Sequence, residues 1–136
     1  MNDPQSDSHP ADLFARQVLF LVGGVFVTIG LASLFAPGGV ADFLNIRLDD
    51  ALARFDFRAV YGGLQLGIGA SLLAAALRKP WRLPALNMAN LVLGGLILGR
   101  VVSLAIDTEG PGPIGWVMLG LELALVVVAA FALLRL

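Results

Sequence analysis

Seven side chains able to do chemistry stand in or beside runs apolar enough to enter a bilayer: Arg58, Tyr61, Gln65, Arg100, Ser103, Asp107 and Glu122. Guanidinium groups hold anions, carboxylates accept protons or pair with cations, and the phenol, amide and hydroxyl supply hydrogen bonds. On a helix, Arg100, Ser103 and Asp107 follow one another at i, i+3 and i+7, a single face. Drawn at about 100° per residue, Arg58, Tyr61, Gly62, Gln65 and Gly69 fall within an arc of roughly 100°, with Gly63, Gly67, Ala70 and Ala74 on the other side. The second helix therefore carries a polar stripe, which must face protein or water, and a small stripe, which lets a neighbouring backbone approach.

A lone ionised Arg or Glu is costly in hydrocarbon, so Arg100 and Glu122 are expected to pair. Arg58 and Asp107 would close a ring around them, and Tyr61, Gln65 and Ser103 would add hydrogen bonds. Three uses of such a cluster come from different classes. It binds a partner protein or a small amphiphile; or Arg58, Arg100 and Glu122 line a path for an anion or proton; or Glu122 or Asp107 acts as a general base while Tyr61 or Arg100 stabilises negative charge. An ion pair of this kind also serves purely to select which helices pack together.

The elements that must position these residues are four apolar spans. The chain has 136 residues, 58% of them hydrophobic, the size of one domain and the composition of a membrane protein. An acidic tail, 1–12, is expected to be disordered, and a single domain, 13–136, to form an all-α integral membrane four-helix bundle. Expected spans are about 18–36, 59–77, 83–107 and 114–134, since about 20 residues cross the hydrocarbon. Pro37-Gly38-Gly39 stops the first. Val40 to Phe57 is too charged to cross and predicts one or two short interfacial helices, the second capped by Asp49 or Asp50. Arg78 to Arg82 forms a basic turn, Pro84 suits the first turn of the third helix, and Pro111 and Pro113 lie in the last turn.

Four spans place both termini on one side. Arg16, Arg78, Lys79, Arg82 and Arg135 fall there and Arg47, Arg54, Arg58 and Arg100 opposite, so both termini are expected to be cytoplasmic. A cleaved signal peptide is not expected, because the N-terminal region carries Asp3, Asp7 and Asp12 in place of basic residues.

Helix packing is expected at Gly63-x-x-x-Gly67 and Gly95-x-x-x-Gly99, and Asn87 and Asn90 are expected to bond a neighbouring helix. There is no cysteine, hence no disulfide, thiol chemistry or Cys-ligated metal. The only histidine, His9, lies in the tail. No catalytic triad, metal-ligand spacing, phosphate loop or nucleic-acid patch is present, so no metal or cofactor is expected and an enzyme is the weaker reading.

The chain resembles the small bacterial four-span proteins grouped as domain-of-unknown-function family 4345 (DUF4345). Carrying the resemblance are Arg58-Ala-x-Tyr61-Gly62-Gly63-x-x-x-Gly67, Gly99-Arg100-x-x-Ser103-x-x-x-Asp107, a proline-containing turn, and Glu122 in the last span. The family's usual Asp-Gly pairing is opened here to Asp107-Thr-Glu-Gly110. In layout the chain is also similar to the wider group of four-span DoxX-like proteins, some of which act as redox-associated subunits or membrane chaperones. The resemblance implies fold and membrane location and brings no mechanism. The expected role is non-enzymatic: binding or assembly of a membrane partner or small amphiphile in the bacterial inner membrane. Expected partners are thus the lipid bilayer, another membrane protein or an amphiphile. A homo-oligomer is compatible with the glycine motifs, and nucleic acid is not expected.

Overall fold

Long apolar runs without alternation satisfy their backbone hydrogen bonds most completely as helices, which is what hydrocarbon demands. The computed structural model describes residues 10–136, and there the chain is all-α, with no strand among the described residues. Helix α1 is Pro10–Phe35, α2 is Pro37–Phe43 and α3 is Ala51–Phe57; a π-helical segment, Arg58–Leu64, leads into α4, Gln65–Ala76; α5 is Lys79–Ile106 and α6 is Gly112–Arg135. Among the described residues, four helical stretches are long and apolar enough to cross a membrane, Ala51–Ala76 counting as one.

The boundaries have local causes. Pro37 opens α2, where its missing N–H is harmless. The loop beyond α2 turns at Asn45, a left-handed residue at φ 57°. Asp50 caps α3, its Oδ1 accepting from Ala53 N at 2.7 Å. The surface segment and the second span are therefore continuous in helix: α3 runs on through the π-helical segment, and the helical stretch that contains the expected span starts at Ala51. Within that segment, Gly62 and Gly63 weaken the α-helical preference and admit the wider turn.

Two further expectations need correction. Pro10 to Asp12 belong to α1, while the rest of the expected tail, including His9, lies outside the described residues. Helix α5 starts at Lys79 with Pro80 in its first turn, so Pro84 sits inside the helix.

The chain divides into two compact units: residues up to Leu19 with Ala75–Leu136, and Phe20–Ala74. In the second unit, α1 and the π–α4 stretch run antiparallel at backbone contact. A Cβ on Gly30 would lie 2.7 Å from Leu66 N and 3.0 Å from Gly62 O, and one on Gly69 would lie 2.7 Å from Gly23 O. The meeting pairs are thus Gly23 with Gly69 and Gly30 with Gly62, the two glycines of each helix lying two turns apart.

The packing motifs expected from sequence are not the ones used. Added Cβ atoms at Gly67, Gly95 and Gly99 would meet nothing within 4 Å, and one at Gly63 would meet only Arg58 O at 3.8 Å. Gly63, Gly67, Ala70 and Ala74 all face outward. The stripe carrying Gly62 and Gly69 packs instead, because without side chains these two sites let the α1 backbone close in.

The other unit centres on α5 against α6. Ala85, Leu86, Ala89 and Leu93 form the buried stripe of α5, and Leu125, Ala129 and Ala132 that of α6. Their exteriors are apolar: Leu91, Leu98, Val117 and Val127 are all more than half exposed, as expected of surfaces facing lipid.

Gly30→Ala should cost about 1–3 kcal/mol through overpacking against backbone, whereas Gly67→Ala should be neutral or stabilising by about 0.5–1 kcal/mol. Thermal unfolding of both variants in the same detergent checks this, and equal melting would contradict the assigned crossing.

Candidate functional site

Most polar side chains within these helices meet one of two fates, while the buried Ser33 hydroxyl of α1 has no hydrogen-bond partner among the described residues. Small ones turn back on their own helix: Thr28 donates to Gly24 O, Ser71 to Gly67 O, Asn87 to Leu83 O and Asn90 to Leu86 O, each one turn earlier. Asn87 and Asn90 therefore do not bridge to a neighbouring helix. A carbonyl one turn back is the nearest acceptor where no water competes, so the amides are satisfied locally. Charged groups have no such local solution and reach across.

Arg100 and Glu122 reach each other. Arg100 Nε donates to Glu122 Oε2 at 2.6 Å and Arg100 Nη2 to Oε1 at 2.7 Å, a two-pronged match of guanidinium to carboxylate. Glu122 is buried on the same stripe of α6 as Leu125 and Ala129, and Arg100 is half-buried. Arg100 lies five helical turns beyond Arg82, hence on the same face of α5 and about 27 Å along it, close to the thickness of the hydrocarbon.

Arg82 anchors the other end. Asp12 accepts from Arg82 Nη1 at 3.3 Å and pairs with Lys79 Nζ at 2.6 Å, while Arg82 Nε donates to Ala76 O at 3.3 Å. Asp12 and Arg82 are both buried. Phe14 packs edge-on against Phe131, and the Arg135 guanidinium lies over the Phe131 ring. Sequence reasoning missed this cluster by assigning Asp12 to the tail. The available signals were an acid just ahead of the first apolar run and Lys79 and Arg82 spaced by one turn.

The remaining residues of the expected cluster divide between the two units. Beyond Arg100, Ser103 donates its hydroxyl to Asp107, which stands just past the end of α5, and both are exposed. In the other unit, Arg58 Nε donates to Leu34 O at 3.2 Å. That carbonyl belongs to the last turn of α1, where no backbone N–H is positioned to take it, and a cation there also complements the helix dipole. Tyr61 stacks on Phe57, ring centroids 4.6 Å apart. Gln65 is half-buried at the start of α4.

Residues 14–133 match the family described as Domain of unknown function (DUF4345). The chain belongs to this family. Comparison with curated proteins and with solved structures returns no match. With four helices long and apolar enough to span, the DUF4345 chain is a multi-pass membrane protein.

Two cavities lie in the Phe20–Ala74 unit. One, about 440 Å³, is walled by the loop between α2 and α3 and includes Asp42, Asn45, Arg47, Asp49 and Arg54. The other, about 630 Å³, is apolar, with Leu34, Phe55 and Ala59 on its walls beside Arg54 and Arg58. Arg54 lines both, and its Nη1 donates to Leu48 O at 3.2 Å. Among the described residues, no group of three or more His, Cys, Asp or Glu is placed to hold a metal.

Removing one partner of the α5–α6 pair strands a charge, so Glu122→Arg and Arg100→Glu should each destabilise by about 3–5 kcal/mol. The double exchange should recover most of the loss in thermal unfolding. Single variants that melt like the wild type would refute direct pairing.

Proposed function

We propose that this DUF4345 chain is a non-enzymatic protein of the bacterial inner membrane, both termini cytoplasmic, that binds a membrane partner or a small amphiphile. Binding uses the polar groups of the Phe20–Ala74 unit, Arg58 with Tyr61 and Gln65 beyond it on the same helical stretch. The orientation rests on the distribution of Lys and Arg among the loops.

The observation that carries the reading is the pair of cavities in the Phe20–Ala74 unit, one walled by the loop between α2 and α3 and the other by the end of α1 and the α3–π stretch, with Arg54 in both. A concave site with a few placed polar groups is what an amphiphile requires. An enzymatic reading has less support, because both carboxylate oxygens of Glu122 are engaged by Arg100, leaving no free base there. A permeation path has less support too: Asn87 and Asn90, the polar groups nearer the other end of α5, are bonded to their own helix.

Extraction of the tagged chain from its native membranes, followed by mass spectrometry of co-purifying lipids and proteins, tests the proposal. A stoichiometric amphiphile or partner is expected. Recovery of the chain alone and unliganded would overturn it.

A further inference from the structure

The apolar cavity and the loop cavity share Arg54, so a bound molecule lying across that residue would have an apolar part on one side and a polar part on the other. Both cavities belong to the same compact unit. Arg58 lies about 27 Å along its helix from Ala76, which sets Arg58 at the edge of the hydrocarbon and Arg54 one turn further out. With Ala76 at the opposite edge of the hydrocarbon, Arg54 stands at the level of the lipid phosphates.

We propose that these two cavities bind one bilayer phospholipid with a primary-amine head. The phosphate diester sits at Arg54 and Arg58, one acyl chain lies along Leu34, Phe55 and Ala59, and the ammonium enters the loop cavity beside Asp42 and Asp49. This deepens the amphiphile reading above and rests on it.

Charge complementarity decides the occupant. Arg54 and Arg58 each donate one hydrogen bond to a backbone carbonyl, to Leu48 O and Leu34 O. A guanidinium carries five N–H donors, so each retains donors for a phosphate. These anchoring bonds also hold the groups in place before a ligand arrives, which lowers the ordering cost of binding.

Asp42 and Asp49 supply the opposite sign in the loop cavity, where Arg47 is the second cation beside Arg54, and the two carboxylates form no ion pair among the described residues. A primary ammonium offers three N–H donors to such carboxylates. A quaternary choline head offers none and is recognised by aromatic cages, whereas no aromatic side chain lines the loop cavity among the described residues. A glycerol head donates hydroxyl hydrogen bonds to carboxylates but carries no positive charge to set against two of them, and a charge-assisted bond is the stronger. Ile46 N donates to Ala41 O at 2.8 Å and Asn45 N to Asp42 O at 3.1 Å, which fixes the turn carrying Asp42, and the Leu48 carbonyl next to Asp49 is held by Arg54.

The test uses the full chain in bilayer nanodiscs of phosphatidylcholine doped in turn with phosphatidylethanolamine or phosphatidylglycerol, with retained lipid counted by native mass spectrometry. Phosphatidylethanolamine should be retained at least about tenfold over either competitor, a difference of about 1.4 kcal/mol. The double variant Asp42→Asn with Asp49→Asn, both exposed positions, should melt like the wild type, keep one bound phospholipid and lose the preference. Arg54→Ala should weaken all three lipids alike.

Retention of one lipid without head-group preference, or a preference that survives the double variant, would overturn the amine-head assignment while leaving amphiphile binding intact. Retention of no lipid at all would overturn both.

Discussion

The contact on which this architecture turns is the two-pronged pair of Arg100 with Glu122. Hydrocarbon gives an ionised side chain nothing to bond, so a guanidinium and a carboxylate on adjacent apolar helices lower their energy chiefly by meeting. The pair constrains α5 and α6 in register as well as in proximity, since both prongs form only when the two side chains stand at one level. Small residues then complete the seam: Ala85 and Ala89 on α5 and Ala129 and Ala132 on α6 keep the helices close where no charge directs them. Van der Waals contact there does what apolar burial does in water.

The same constraint explains the ends of the helices. Carbonyls in a last turn lack N–H partners, and an arginine from later in the chain takes one in two places: Arg58, in the π-helical segment, at Leu34 and Arg82, in α5, at Ala76. Each arginine lies after the turn it seals. Beside the first contact, the paired glycines let α1 and α4 touch through backbone, and the wider π turn provides the local change of pitch that carries Arg58 and Tyr61. Segments of this kind recur where a helix must present a particular side chain.

Much of this was legible in the residues, and the remainder was hidden for physical reasons. The four spans follow from apolar length, and Asp50 as a cap follows from its place before Ala51-Leu-Ala. Arg100 and Glu122 could be matched because each was costly alone. Glycine contacts could not be read the same way. Gly63-x-x-x-Gly67 looks like a crossing motif, yet the glycines that matter, Gly23, Gly30, Gly62 and Gly69, are spaced by two turns, and which face packs depends on a partner helix and on the local widening of the turn. Asn87 and Asn90 looked like bridges because their own carbonyls are invisible in a list of side chains. Asp12 was assigned to the tail because composition ignores that Lys79 and Arg82 return to meet it.

Thr28, Ser71, Asn87 and Asn90 are thus satisfied on their own helices, the buried Ser33 hydroxyl has no hydrogen-bond partner among the described residues, and Asp42, Asp49, Arg54 and Arg58 stand around the two cavities of the Phe20–Ala74 unit. The central claim is the direct contact of Arg100 and Glu122 in the bilayer. Solid-state NMR on chain labelled at the arginine guanidinium nitrogens and glutamate carboxyl carbons, reconstituted in lipid, reads that contact as a distance. A nitrogen-to-carbon separation of about 3.5 Å is expected, one covalent bond beyond a charge-assisted hydrogen bond of about 2.7–2.9 Å, and it should vanish in Glu122→Gln paired with Arg100→Gln. No dipolar coupling between the two side chains in the wild-type protein would contradict the account.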